Sequence, residues 1–173
     1  MSNPDRPRVF IGSSTEGLHI AESLQFNLEN HAEVTVWNQR VFLPTANVIA
    51  TLGRVAESTD FAAFVLTPDD LVVQRNRIGT SPRDNLLFEA GYFMAGLGGD
   101  RTFLLVRRDA DLVLPTDLDG LLVLRYSSRL DDNHVAATAP AALQMRQVIR
   151  SSPWAWPHHL GSIGSIHRAA GGS

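Results

Sequence analysis

The sequence contains no cysteine. Disulfides, thiolate metal sites and cysteine nucleophiles are therefore excluded. It also lacks any apolar run near the roughly 18 residues that a membrane span needs. The opening "MSNPDRPR" has no apolar core of the signal-peptide kind. Nor is there an excess of positive charge: the formal net charge is -3 and the isoelectric point lies near 6.0. That balance offers no electrostatic case for nucleic acid or for an anionic membrane surface. No internal repeat is evident. These absences leave a soluble, cytoplasmic protein as the expectation.

The 173 residues and 44% hydrophobic content suffice for one domain with a sizeable core. Short apolar runs read as strands: "RVFIGSS" (8–14), "AEVTVW" (32–37), "FAAFVLT" (61–67), "RTFLLVR" (101–107) and "LLVLRY" (121–126). Helical spacing fits 15–30, 47–58, 82–97 and 140–150, and 108–120 reads as an irregular crossover. Strands alternating with helices predict an α/β fold with a mainly parallel five-stranded sheet between two helical layers, in flavodoxin-like order. Residues 8–12 and 61–66, nearly continuous apolar runs, are expected as adjacent inner strands. The expected organisation is a flexible N-terminus (1–7), one domain (8–150) and a flexible tail (151–173), whose "SSPWAWPHHLGSIGSIHRAAGGS" has no acidic residue. The adjacent His158 and His159 lack further ligands, and no metal site is expected.

The segment "SPRDNLLFEAGYF" (81–93) places a carboxylate inside an apolar helix. Ser81 suits the N-cap and Pro82 the first helical position, and Gly96, Gly98 and Gly99 suit the stop. At about 100° per residue, Leu86, Ala90, Phe93, Met94 and Leu97 form one stripe, with Glu89 at its edge beside Asn85. A carboxylate there is partly desolvated, which raises its pKa and suits it to act as a base or charge stabiliser. A boundary glutamate that merely touches solvent is the plainer reading of this segment alone.

In an open parallel sheet, ligands bind beyond the carboxyl ends of the strands, where the strand order reverses. That rule selects "GSSTEG" (12–17), then Trp37 with the following loop, then "TPDD" (67–70). The hydroxyls and backbone N–H groups of "GSSTEG" could hold a phosphate, although plain capping by Ser14 or Thr15 accounts for them equally well. Trp37 could stack on a ligand ring or simply fill a strand end. Arg75, Arg77 and Arg83 could meet a diphosphate or stand solvated in a loop.

Taken together, "VFIGSSTEGLHIAESLQFNLE", "EVTVW", "FAAFVLTPDD" and "PRDNLLFEAGYFMAGLG", continued by "RTFLLVRR" and "LPTDLDGLLVLRY", resemble the TIR-like domain of bacterial anti-phage effectors. Those effectors serve cyclic-oligonucleotide and cyclic-pyrimidine signalling, and the resemblance covers roughly residues 8–126. It implies an NAD+ hydrolase that cuts the nicotinamide–ribose bond, with NAD+ as substrate and no separate cofactor. The family's catalytic glutamate maps onto Glu89. Ser13, Ser14, Trp37, Asp69, Arg83 and Asn85 are the expected substrate contacts. Such domains usually adjoin a sensor module, and nothing long enough for one follows residue 150. A sensor on another chain and activation by self-association, with the 38–46 loop meeting a neighbour, are therefore expected. A nucleoside deoxyribosyltransferase-like enzyme, a non-catalytic TIR-type interaction module and an FMN-binding flavodoxin are the alternatives.

Overall fold

The structure, a computed structural model, describes residues 6–38, 48–67, 70–74, 77–81, 84–110 and 120–152. In chain order the elements are β1 (Arg8–Ser13), α1 (Leu18–Leu28), β2 (Glu33–Val36), α2 (Val48–Glu57), β3 (Phe61–Leu66), β4 (Asp70–Gln74), β5 (Arg77–Ser81), α3 (Asp84–Leu97), a 3₁₀ turn (Gly99–Arg101), β6 (Thr102–Arg107), β7 (Leu122–Tyr126) and α4 (His134–Ser151). Five strands form one sheet in the order β2-β1-β3-β6-β7. All four neighbouring pairs are parallel. This is the expected flavodoxin-like order, and β1 and β3 are the adjacent inner strands. No helix among the described residues is long and apolar enough to cross a membrane.

The pleat sends alternate residues to opposite faces. Val9 and Ile11 pack with Leu24, Leu28, Ala141 and Met145 under α1 and α4, whereas Phe10 packs with Leu52, Ala90 and Phe93 under α2 and α3. Every residue of β3 is buried because both of its faces are covered. The starts of β1 and β3 are strapped together: the Arg8 N–H donates to Asp60 Oδ2 at 2.7 Å, and the Asp60 N–H donates to the Arg8 carbonyl at 2.9 Å.

Three local expectations are corrected. Residues 70–74 and 77–81 are not loop: β4 and β5 pair as an antiparallel two-stranded sheet. Their β-branched Val72, Val73, Ile78 and Thr80 favour extended backbone. Ser81 consequently ends a strand instead of capping α3, which begins at Asp84. The last helix starts at His134, not at 140, and carries Pro140 inside it. Proline supplies no N–H to the carbonyl of Ala136. The helix persists because Ala137, Thr138, Ala141, Ala142, Met145 and Ile149 form a buried stripe. Asn133 caps it, its side-chain oxygen accepting the Ala136 N–H at 2.9 Å. The end of α3 fits expectation better: Gly98 follows it at φ 94, a conformation that favours glycine.

Gly12 is required for another reason. A β-carbon there would lie 2.6 Å from Cδ1 of Phe64. That ring is wedged edge-on against Phe93 at 5.4 Å and against Phe10 at 6.2 Å, so it has little room to yield. Gly12→Ala is expected to destabilise the fold by about 1–3 kcal/mol, the usual range for overpacking a core. Urea unfolding should show a lower midpoint at an unchanged slope, and an unchanged midpoint would show that the core can yield.

Candidate active site

The direction of α3 follows from its contacts with β1. Phe93 stacks on Phe10, with centroids 5.1 Å apart and rings 7° from parallel. Seven residues earlier, Leu86 meets Gly12, two residues further along β1, with its Cδ1 3.5 Å from where a β-carbon on Gly12 would stand. The helix therefore descends from the carboxyl edge of the sheet, antiparallel to β1. Glu89 lies between these two anchors, about one turn below Leu86. Side chains on a helix tilt toward its N-terminus, so the carboxyl group is carried back toward the carboxyl edge.

Glu89 is half-buried, while Leu86, Ala90 and Phe93 on the adjoining stripe are buried. Burial pushes its carboxyl above the ordinary glutamate range. Among the described residues no hydrogen bond offsets that effect. Asn85, one turn earlier on the same flank, is exposed.

The ends of β1, β2 and β3 meet at this edge through a polar network. The indole N–H of Trp37 donates to Ser13 Oγ at 2.8 Å, and the Trp37 backbone N–H donates to the Ile11 carbonyl at 3.0 Å. Ser14 Oγ lies 3.1 Å from Thr67 Oγ1 and accepts the Gly17 N–H at 3.2 Å. Ser13 and Ser14 are each 8% exposed, so these bonds satisfy nearly buried hydroxyls. The chain leaves β1 toward β2 and returns to β3 on the other side, so Ser13, Ser14 and Thr67 mark the point where strand order reverses.

The structure thus gathers Ser13, Ser14 and Trp37 at the end of the sheet that also receives the start of α3, with Ser13 bonded to Trp37 and Ser14 to Thr67. Trp37 is half-buried, packs against both core clusters and has its N–H engaged by Ser13, so its first role is to close the sheet edge. Capping by Ser14 or Thr15, one of the two readings of "GSSTEG", is not realised: the N-cap of α1 is Gly17, with no side-chain cap bond, and the Ser14 hydroxyl accepts the Gly17 N–H in the turn that leads into the helix. Thr67 joins the group although the sequence marked it only as the first residue of "TPDD". Asp69, Arg83 and most of the 38–46 loop lie outside the described residues, as do Arg75 and the histidines 158 and 159. No group of three or more His, Asp or Glu able to hold a metal occurs among the described residues.

A cleft of about 540 Å³ lies at the other end of α3, bordered by Tyr92, Gly96 and Arg101, and contains none of the predicted site residues. Ser13, Ser14, Trp37 and the start of α3 lie instead at the carboxyl edge, where open parallel sheets generally bind ligands.

The comparisons with known proteins bear on the family and the fold. The family described as "CAP12/Pycsar effector protein, TIR domain" matches residues 8–128. The chain is 37% identical over 142 residues to the Pycsar effector protein PaPycTIR of Pseudomonas aeruginosa, covering 81% of this chain and 46% of that protein. It is 37% identical over 125 residues to the CD-NTase-associated protein 12 of Flavobacterium daejeonense, covering 72% and 40% respectively. With the Pycsar effector protein XpPycTIR of Xanthomonas perforans it shares 38% over 149 residues, covering 84% and 48%. The chain therefore spans less than half the length of these relatives. Among solved structures, a diflavin flavoprotein A3 from Nostoc sp. superposes with a TM-score of 0.50 at 11% identity, covering 84% of this chain and 95% of that one. That likeness concerns the fold alone.

The shift at Glu89 has a consequence for stability. Its folded pKa is raised, so protonation is favoured more in the folded chain than in the unfolded one. The contribution is full below the ordinary glutamate pKa and is lost as pH rises through the folded value. Glu89→Gln should therefore gain stability relative to wild type as pH is raised from acid to neutral. Paired urea titrations at both ends of that window check this, and a difference that stays constant with pH would contradict it.

Proposed function

The chain belongs to the TIR-domain family of CAP12 and Pycsar effector proteins, and on that premise we propose that it hydrolyses NAD+ at the nicotinamide–ribose bond, with Glu89 as the catalytic carboxylate. The observation that carries this reading is the half-buried, burial-perturbed Glu89 on the flank of α3 that leads to the carboxyl edge. Perturbed carboxylates at such an edge are functional-site candidates on physical grounds.

The chemistry explains why a single carboxylate suffices. Most glycosidases need a pair, because an acid must protonate a poor leaving group. The nicotinamide of NAD+ is already a pyridinium. When the C1′–N bond breaks, the electron pair moves to the ring nitrogen and nicotinamide leaves neutral. Positive charge develops on the ribose, where the Glu89 carboxylate opposes it. The oxygen of water bonds to C1′, and its proton passes to Glu89 or to solvent. Ser13, Ser14, Asn85, Trp37, Asp69 and Arg83 remain the proposed contacts to the rest of the dinucleotide. By the same reading the domain serves as an anti-phage effector that depletes NAD+. Its activity would rise on self-association, with the activating signal sensed outside this domain.

The deciding experiment offers purified protein NAD+ and, separately, deoxynucleosides, across protein concentration, with products resolved by chromatography. NAD+ should yield nicotinamide and an ADP-ribose product. Glu89→Gln, folded by circular dichroism, should be slower by about 10²–10³ or more, the effect of removing a well-placed electrostatic group. Retention of most activity by that variant would remove Glu89 from the role. Base exchange among deoxynucleosides in place of NAD+ cleavage would favour the transferase reading. No reaction with either, even when crowded, would favour the interaction module.

A further inference from the structure

An indole N–H can donate a hydrogen bond but cannot accept one. In the 2.8 Å contact between Trp37 and Ser13, the donor is therefore Trp37 and the acceptor is Ser13 Oγ. The proton of the Ser13 hydroxyl takes no part in that bond. Among the described residues no acceptor receives it, although Ser13 is only 8% exposed. A nearly buried donor in that position favours a ligand oxygen that reaches it. Ser13 follows Val9 and Ile11 in the pleat of β1, on the face that α1 and α4 cover. A β-carbon on Gly17, just before α1, would lie 3.4 Å from Ser13 Cβ. Glu89 belongs to α3, which packs on the opposite face through Leu86, Ala90 and Phe93. A ligand lying across the carboxyl edge would meet Ser13 and Glu89 with different parts.

We infer that Trp37 is a positioning residue: its indole N–H occupies the acceptor side of Ser13 Oγ and so turns the Ser13 hydroxyl into a donor to an oxygen of the dinucleotide, away from the bond that breaks. This rests on the reaction proposed for Glu89 and assigns Trp37 its part in it. The N–H of Trp37 acts through Ser13 and does not itself touch the substrate. The contact from Ser13 is remote from C1′, so it is made alike in the bound substrate and in the transition state. Such a contact governs binding and leaves the chemical step alone.

The bond itself is read first, without substrate. Trp37→Phe keeps an aromatic ring, removes the N–H and so identifies the Trp37 indole signal by NMR. That signal should exchange slowly with solvent in the wild type and faster in Ser13→Ala. With NAD+, Ser13→Ala and Trp37→Phe should each raise KM about ten-fold, the scale of one lost hydrogen bond, with kcat nearly unchanged. Binding of ADP-ribose, which has no nicotinamide to lose, should weaken by the same factor. The double variant should be no weaker than Ser13→Ala, because both changes remove one contact. Additive losses, or a loss confined to kcat, would overturn the inference. So would rapid indole exchange in the wild type, or a Trp37→Phe protein with a lower unfolding midpoint and an unchanged KM, the mark of a merely structural bond. Wild-type cleavage of NAD+ that both variants match would sink this inference alone. A wild type that leaves NAD+ intact would sink the reaction and this inference with it.

Discussion

The stack of Phe93 on Phe10, braced edge-on by Phe64, is the contact on which the rest of this molecule depends. All three rings are fully buried, and each removes a large apolar area from water. The contact is possible because β1 has a glycine where it passes under Phe64 and Leu86. A helix behaves as a nearly rigid rod over this length, so fixing Phe93 and Leu86 fixes everything between and beyond them. Glu89 is held about one turn below the strand ends on one side of that anchor, with its side chain tilted back toward them. Tyr92, Ala95 and Gly96 are held at the amino edge on the other. One aromatic contact therefore sets both the carboxylate and the distant cleft.

What could be read from the sequence was what depends on local pattern. Strands as apolar as β3 announce inner positions, and the stripe of α3 announces both its buried face and the edge on which Glu89 sits. The switch-point rule then named Ser13, Ser14 and Trp37 from strand order alone. Other features arise only when distant segments meet. Ser14 and Thr67 are 53 positions apart, and Trp37 and Ser13 are 24 apart. No periodicity carries such a pairing. The start of α4 was hidden for a different reason. Pro140 signals a helix start by local rule, but the buried stripe on both sides of it outweighs one missing hydrogen bond. The hairpin of β4 and β5 was hidden because arginine and aspartate around it read as loop chemistry, while its valines were too few to form a recognisable run.

Among the described residues two carboxylates, Asp60 and Glu89, have pKa values raised by burial, and the two differ in what surrounds them. Asp60, 2% exposed, stands at the amino edge, accepts the Arg8 N–H through Oδ2 and feels the field of Arg101. Its charge has work within the fold, joining the starts of β1 and β3, so a raised pKa does not by itself identify a reactive group. Glu89 receives no such compensation from the described residues. Its ionised form is held at a loss in the resting chain, and a positive group brought beside it would relieve that loss. On the proposed reaction, both the pyridinium of the substrate and the ribose cation that follows are such groups. An uncompensated, half-desolvated carboxylate interacts more strongly with a developing cation than one already satisfied by neighbours, because less solvent and fewer fixed donors screen it. The instability that burial imposes on Glu89 is thus the same free energy that would favour the transition state over the empty site.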